Sequence, residues 1–125
     1  MRLLQVLTQK QLEDFCQVSG SYPLTPALPS MQQADAHWLV LGATGQPLAR
    51  CSLWWQNVPT YGAERLGLIG HYAAHEASAA RCLLDQACAH LAAQRCTLAV
   101  GPLDGNTFRH YRLLTERAVD GPQQP

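Results

Sequence analysis

His71 and His75 are the side chains of this chain best suited to move a proton near neutral pH, because a neutral imidazole can accept the proton of an attacking amine. The first closes a short apolar run, Ile69-Gly70-His71-Tyr72, and the second precedes an amphipathic segment. A strand under His71 and a turn under His75 would lose the i, i+4 geometry of a helical metal pair, and no third ligand is indicated, so no metal is expected. His71 then reads as a general base, or, in the plainer alternative, as a histidine hydrogen-bonded at a strand end. Trp54, Trp55 and Tyr61 lie close to a loop and could line an acceptor pocket for an aromatic or cationic group, or else belong to sheet core or a protein interface. Arg109 and Arg112 could reach a phosphate or carboxylate, or be solvated.

The elements that must hold these groups are bounded by composition. A chain of 125 residues is one ordinary domain, able to bury roughly two-thirds of its unfolded surface. Nine Lys and Arg balance nine Asp and Glu, so no global field draws nucleic acid or an anionic membrane to the surface, and neither is expected as a partner. Met1-Arg2-Leu3-Leu4-Gln5-Val6-Leu7 lacks the form of a signal peptide, and no run approaches the ~18 apolar residues of a membrane span. The chain reads as soluble and cytoplasmic. Its five cysteines, Cys16, Cys51, Cys82, Cys88 and Cys96, form no C-x-x-C pair, and most read as small buried hydrophobes.

Residues 2 to 7 suit a first strand. Thr8-Gln9-Lys10-Gln11 has capping-box spacing, so a helix should start there, with Leu12, Phe15 and Cys16 as its apolar stripe and Ser19-Gly20 as its stop. Residues 21 to 36, with three prolines, predict a long loop holding a turn of helix at 30 to 34. Residues 37 to 43 and 48 to 56 flank Thr44-Gly45-Gln46-Pro47 as a hairpin. In its second arm Ala49, Cys51, Leu53 and Trp55 face the core, and Arg50, Ser52, Trp54 and Gln56 a partly wet side. Residues 65 to 72 read as a central strand. Residues 78 to 94 form the clearest helix, with Ala80, Leu83, Leu84, Ala87, Cys88 and Leu91 at helical spacing. Residues 97 to 100 make a strand parallel to 65 to 72 through a right-handed crossover. A last helix is expected at 106 to 116, with Phe108, Tyr111 and Leu113 or Leu114 on one side. The strand, loop and helix at 65 to 94 place a helix N-terminus beside a strand's carboxyl end, where an anion is favoured, although every crossover helix has such an end.

This order, with Ile69-Gly70-His71-Tyr72 and Gly101-Pro102-Leu103-Asp104-Gly105-Asn106-Thr107-Phe108-Arg109-His110-Tyr111-Arg112, resembles the cofactor-binding half of a GNAT acetyltransferase over about residues 65 to 116. The family's Q/R-x-x-G-x-G/A phosphate loop aligns His75 with the Gln/Arg position, Ser78 with the first Gly and Ala80 with the Gly/Ala, so small residues are kept without glycine. The resemblance implies acetyl-CoA as cofactor, held by amides around Ile69, Gly70 and His71 and around His75, Ser78, Ala79 and Ala80. Asp104, Thr107 and Tyr111 match the family's Asn, small residue and Tyr spacing. Asp104 would face the cofactor, and Tyr111 would be the general acid that protonates the departing thiolate, its alternative being an aromatic anchor for the last helix. Seven residues are near two helical turns, which would set Asp104 and Tyr111 on one face.

The fold implied is α/β: an incomplete GNAT-like mixed, mainly antiparallel sheet of about five strands with flanking helices, in one domain over 1 to 117 and a disordered tail over 118 to 125. The chain stops short of the two further strands of the family's usual wall, which leaves the strand at 97 to 100 with an open edge and predicts a homodimer through that edge or the neighbouring apolar surface. The function implied is acetyl-CoA-dependent N-acylation of a small amine, the alternative being a non-catalytic scaffold that binds a small ligand or a protein partner.

Overall fold

Local sequence rules account for most elements of the chain, whose computed structural model describes residues 1–18, 24–58, 62–101 and 109–112. Strand β1 (Arg2–Gln5) leads into helix α1 (Gln9–Gln17) through the expected capping box. Thr8 Oγ1 accepts from the Gln11 amide at 3.2 Å, and Gln11 Oε1 accepts from the amides of Thr8 at 3.1 Å and Leu7 at 2.7 Å, so one side chain satisfies two orphan donors. The helix closes at Val18, just before Ser19-Gly20, which lie outside the described residues. Helix α2 (Pro29–Gln33) is the expected turn of helix in the long loop, started by a proline whose missing N–H costs nothing in the first turn.

Strands β2 (Ala36–Leu41) and β3 (Pro47–Trp54) form the hairpin, and β4 (Leu66–Ala74), helix α3 (Ala77–Ala93) and β5 (Leu98–Gly101) form the crossover unit. Among the described residues, β6 (Arg109–Arg112) extends this to a six-stranded sheet in the order β1-β2-β3-β4-β5-β6. Every neighbouring pair is antiparallel except β4 and β5, which are parallel. The class is therefore α/β with a mixed, mainly antiparallel sheet and flanking helices. Among the described residues no helix is long and apolar enough to cross a membrane.

Strand β6 corrects the helix expected at 106 to 116 over Arg109–Arg112, the rest of that span lying outside the described residues. Arg109 pairs with Gly101, His110 with Val100, Tyr111 with Ala99 and Arg112 with Leu98. Side-chain spacing over so short a segment fits a helix or a strand equally well, and here the edge of β5 supplies backbone partners that a helix would leave unpaired. Tyr111 is therefore not set on a shared helical face with Asp104, which lies outside the described residues. Of the two surfaces expected to carry a homodimer, the β5 edge is covered by β6, and the neighbouring apolar surface is the other.

Both faces of the sheet are covered. On one side Ala79, Leu83, Ala87 and Leu91 of α3 pack with Val40, Ala49, Cys51, Leu53 and Ile69, all fully buried. Gly67 lets α3 approach, since a Cβ there would lie 2.6 Å from Leu91 Cδ2. On the other side α1 and α2 lie over the sheet with Phe15, Val18, Leu39, Leu41, Met31 and Ala73 in the interior. This corrects the reading of β3's second face as partly wet: Arg50 is 2% exposed and Ser52 0%. Alternation identified the faces, but nothing in β3 itself shows that α1 and α2 fold over the polar one.

Gly101 is fixed by the same packing. Its φ of +148° suits glycine, and a Cβ there would run into the carbonyl oxygen of Ile69 on β4. Gly101→Ala is expected to lower stability by about 1–3 kcal/mol, read as a shift in the urea midpoint at unchanged slope; an unaltered midpoint would contradict this account of the β4–β5 approach.

Candidate functional site

The site begins with a miscount between two strands. Ser52 of β3 pairs with Gly70 of β4 and Arg50 pairs with Ala73, so two steps along β3 meet three along β4. The extra residue is a β-bulge, and His71 takes a φ of +51°, a region an L side chain enters at a cost of roughly 1–3 kcal/mol. The bulge reverses the alternation of β4. Ile69 packs in the α3 core, whereas Ala73 packs on the opposite side. His71 is thereby turned under α2, with 4% of its surface exposed.

Beneath α2 the polar side chains form one continuous chain. Ser30 Oγ lies 2.9 Å from His71 Nε2, His71 Nδ1 lies 2.9 Å from Ser52 Oγ, Ser52 Oγ lies 2.7 Å from His37 Nδ1, and His37 Nε2 lies 3.1 Å from the Met31 carbonyl. Donor and acceptor roles follow from the closed end. A carbonyl only accepts, so His37 carries its proton on Nε2 and its Nδ1 accepts the Ser52 hydroxyl. The Ser52 oxygen then accepts from His71 Nδ1–H, which leaves a lone pair on His71 Nε2 for the Ser30 hydroxyl. With both rings neutral, every hydrogen bond runs in one direction from Ser30 to Met31.

The surroundings keep the rings neutral. Burial pushes His71 down to about 4, helped by His37 and Arg50, and burial pushes His37 below its ordinary value, partly opposed by the Met31 carbonyl. Arg50 Nε donates to the His71 carbonyl at 3.0 Å, and its Nη1 donates to the Val18 carbonyl at 2.7 Å. Trp54 stands edge-on to His71 with ring centroids 5.1 Å apart, and Phe15 does the same to His37 at 5.0 Å.

The other expected residues are distributed as follows. The ladder between β4 and β5 covers only Leu66↔Leu98, Gly67↔Ala99 and Leu68↔Val100, so β4 continues through Ile69, Gly70 and His71 beyond its parallel partner, towards the start of α3. There His75 is exposed and its amide is used by the Leu48 carbonyl at 2.9 Å. Ser78 is exposed with its hydroxyl 4.0 Å from Met1 Sδ, Ala79 is a fully buried core residue, and the Ala80 amide bonds the Glu76 carbonyl. Glu76 makes no side-chain cap, leaving the first-turn amides of Ala77, Ser78 and Ala79 uncapped by it. Tyr111 sits in β6 opposite Ala99, and Tyr61 lies outside the described residues. Trp54 and Trp55 do not share a pocket: Trp54 faces His71, whereas Trp55 packs on the α3 side against His90, which also accepts Trp38 Nε1–H at 2.9 Å.

Sequence reasoning missed Ser30, His37 and Ser52. One signal was available for the last two: the hairpin register sets His37 opposite Ser52, a polar pair on the face that also holds Arg50. Both imidazoles titrate lower in the folded chain than in the unfolded one, so the unfolded chain binds more protons from about pH 6.5 down to about 4. Stability should be complete above that window and fall on acidification, with His71 alone contributing about 2 kcal/mol of loss between about pH 6.5 and 5. Urea midpoints measured across that range check this, and a flat profile would mean that both rings titrate in the folded chain as they do in the unfolded one. Compared with known proteins, the chain matches no family model, no curated protein and no solved structure.

Proposed function

We propose that the chain is a GNAT-type N-acyltransferase that uses acetyl-CoA to acylate a small amine. One observation carries this reading: β4 runs on to Ala74 beyond its last ladder pair with β5, Leu68↔Val100, and ends two residues before Glu76 at the N-cap position of α3. A strand that runs past the end of its neighbour's ladder can offer backbone groups to an extended amide-bearing chain such as pantetheine. The amides of Ala77, Ser78 and Ala79 at the positive end of α3 then suit the pyrophosphate. Ile69, Gly70 and His71 would contribute main-chain contacts along the strand, and His75 and Ala80 would flank the phosphates through side chain and shape, since their amides are occupied.

In this reading the bound amine attacks the thioester carbonyl directly, the C–N bond forms as the C–S bond breaks, and Tyr111 protonates the leaving thiolate. His71 has both ring nitrogens engaged, so it would influence the amine's proton only through the Ser30 hydroxyl. Asp104 keeps its place as a cofactor-side residue in the proposal. The second reading, a non-catalytic scaffold for a ligand or protein partner, is favoured by the Cβ atoms of Ala77, Ser78, Ala79 and Ala80, which leave less room for a pyrophosphate than glycines would.

Calorimetric titration with acetyl-CoA separates the two. Micromolar binding that weakens at least about tenfold in Ser78→Glu, where a carboxylate would meet the phosphates, is the expected result. Tyr111→Phe should lower turnover about 10²-fold with the cofactor affinity unchanged. No heat at millimolar acetyl-CoA would overturn the acyltransferase reading and leave the scaffold.

A further inference from the structure

The chain of hydrogen bonds under α2 has one open end. His37, Ser52 and His71 are covered to different degrees by α1, α2 and the sheet, whereas Ser30 is exposed and still holds its hydroxyl 2.9 Å from His71 Nε2. A serine O–H directed at the unprotonated nitrogen of an imidazole, whose other nitrogen is fixed by a third group, is the arrangement that activates a serine oxygen for attack. The third group here is Ser52, itself oriented by His37. We infer that Ser30 is a nucleophile, with His71 as its general base, that accepts an acyl group from a small ester or thioester.

The step balances within these residues and the substrate. Ser30 Oγ bonds to the carbonyl carbon while its proton passes to His71 Nε2. Collapse of the tetrahedral adduct breaks the carbon–oxygen or carbon–sulfur bond, and the leaving alkoxide or thiolate takes the proton back from His71 Nε2. Water or an amine then removes the acyl group from Ser30 by the same sequence in reverse, which restores the starting state.

The relay behind His71 answers its charge problem. A proton gained at Nε2 makes a cation beside Arg50, whose guanidinium bonds the His71 carbonyl and opposes that charge. Because Ser52 Oγ accepts from His71 Nδ1 and donates to His37 Nδ1, a shift of two protons moves the charge to His37, whose Nε2–H is already held by the Met31 carbonyl. His37 sits against the edge of Phe15, and Arg50 is not among the groups that depress it. Trp54, half-buried and edge-on to His71, supplies an apolar surface beside the reacting atoms for a short acyl chain.

A purely structural role, in which Ser30 and Met31 merely pin α2 to the sheet, predicts no chemistry at Ser30. The whole chain is treated with a fluorophosphonate, whose P–F bond an activated serine displaces with loss of fluoride, and the adduct is mapped by peptide mass spectrometry. Labelling at Ser30 that is absent in Ser30→Ala and slowed about 10²-fold in His71→Gln is expected. Absence of labelling at excess reagent, or labelling elsewhere that persists in Ser30→Ala, overturns the proposal; equal labelling in a folded His71→Gln overturns the base. Ser30 is exposed, so Ser30→Ala stays informative even if His71→Gln fails to fold. The reagent carries no coenzyme, so labelling at Ser30 stands or falls apart from acetyl-CoA binding.

Discussion

Arg50 donates from Nε to the carbonyl of His71 and from Nη1 to the carbonyl of Val18, and these two bonds connect the three elements on which the site rests. Val18 closes α1, so the guanidinium sits at the negative end of that helix and partners a carbonyl the helix cannot use. The His71 carbonyl belongs to the bulge, where the ladder between β3 and β4 skips a residue. The charge is 2% exposed and its group lies 5.9 Å from the centre of the Phe15 ring. A buried guanidinium is tolerated only when it is hydrogen-bonded, and here two of its donors hold a helix end and a strained residue in fixed relation. With Arg50 removed, the His71 ring would lose the backbone position that turns it under α2.

The same dependence explains what was legible beforehand. The capping box at Thr8, the hairpin around Gly45 and the crossover unit from β4 through α3 to β5 are each specified by spacing within one contiguous segment. His71 was also recognisable as a residue able to do chemistry, from its type and its place at the end of an apolar run. Its partners were not. Ser30 is 41 positions away and Ser52 is 19, and only the folding of α2 across the sheet makes them neighbours. Strand β6 was misread for a related reason: the side-chain spacing around Tyr111 suits either state, and the decision is made by the open edge of β5, a requirement of the sheet rather than of the segment. The two tryptophans show the limit of adjacency, because consecutive strand residues point to opposite faces and so Trp54 and Trp55 serve different layers.

Strand β4 does two unrelated jobs by means of one irregularity. Up to Leu68 it is laddered to β5 and from Leu68 onward to β3, and Gly67 even omits a side chain so that Leu91 can approach. Beyond Leu68 the ladder with β5 ends, while the bulge on the β3 side swings His71 to the opposite face from Ile69. Gly101 keeps the two strands close where the ladder ends, since a Cβ there would run into the Ile69 carbonyl. A strand that passes the end of one ladder and is bulged in the other, within a few residues, brings its main chain and a buried imidazole close together along the chain.

Replacing this interior by apolar side chains would ordinarily cost nothing in stability, because buried polar networks at best recover the desolvation of their members. Two imidazoles, a serine and a guanidinium under one face of a small sheet therefore need a reason beyond holding the fold. Part of the reason is specificity: with both rings neutral, the bond order from Ser30 to Met31 admits a single assignment of protons, and it fastens the five residues of α2 at two consecutive positions. That alone would be served as well by a chain buried from end to end. This chain instead ends on the hydroxyl of an exposed residue, Ser30, and the strained backbone at His71 directs an unprotonated ring nitrogen at it. Strain maintained by a buried charge, and delivered to a group that meets solvent, is how a fold arranges reactivity rather than packing.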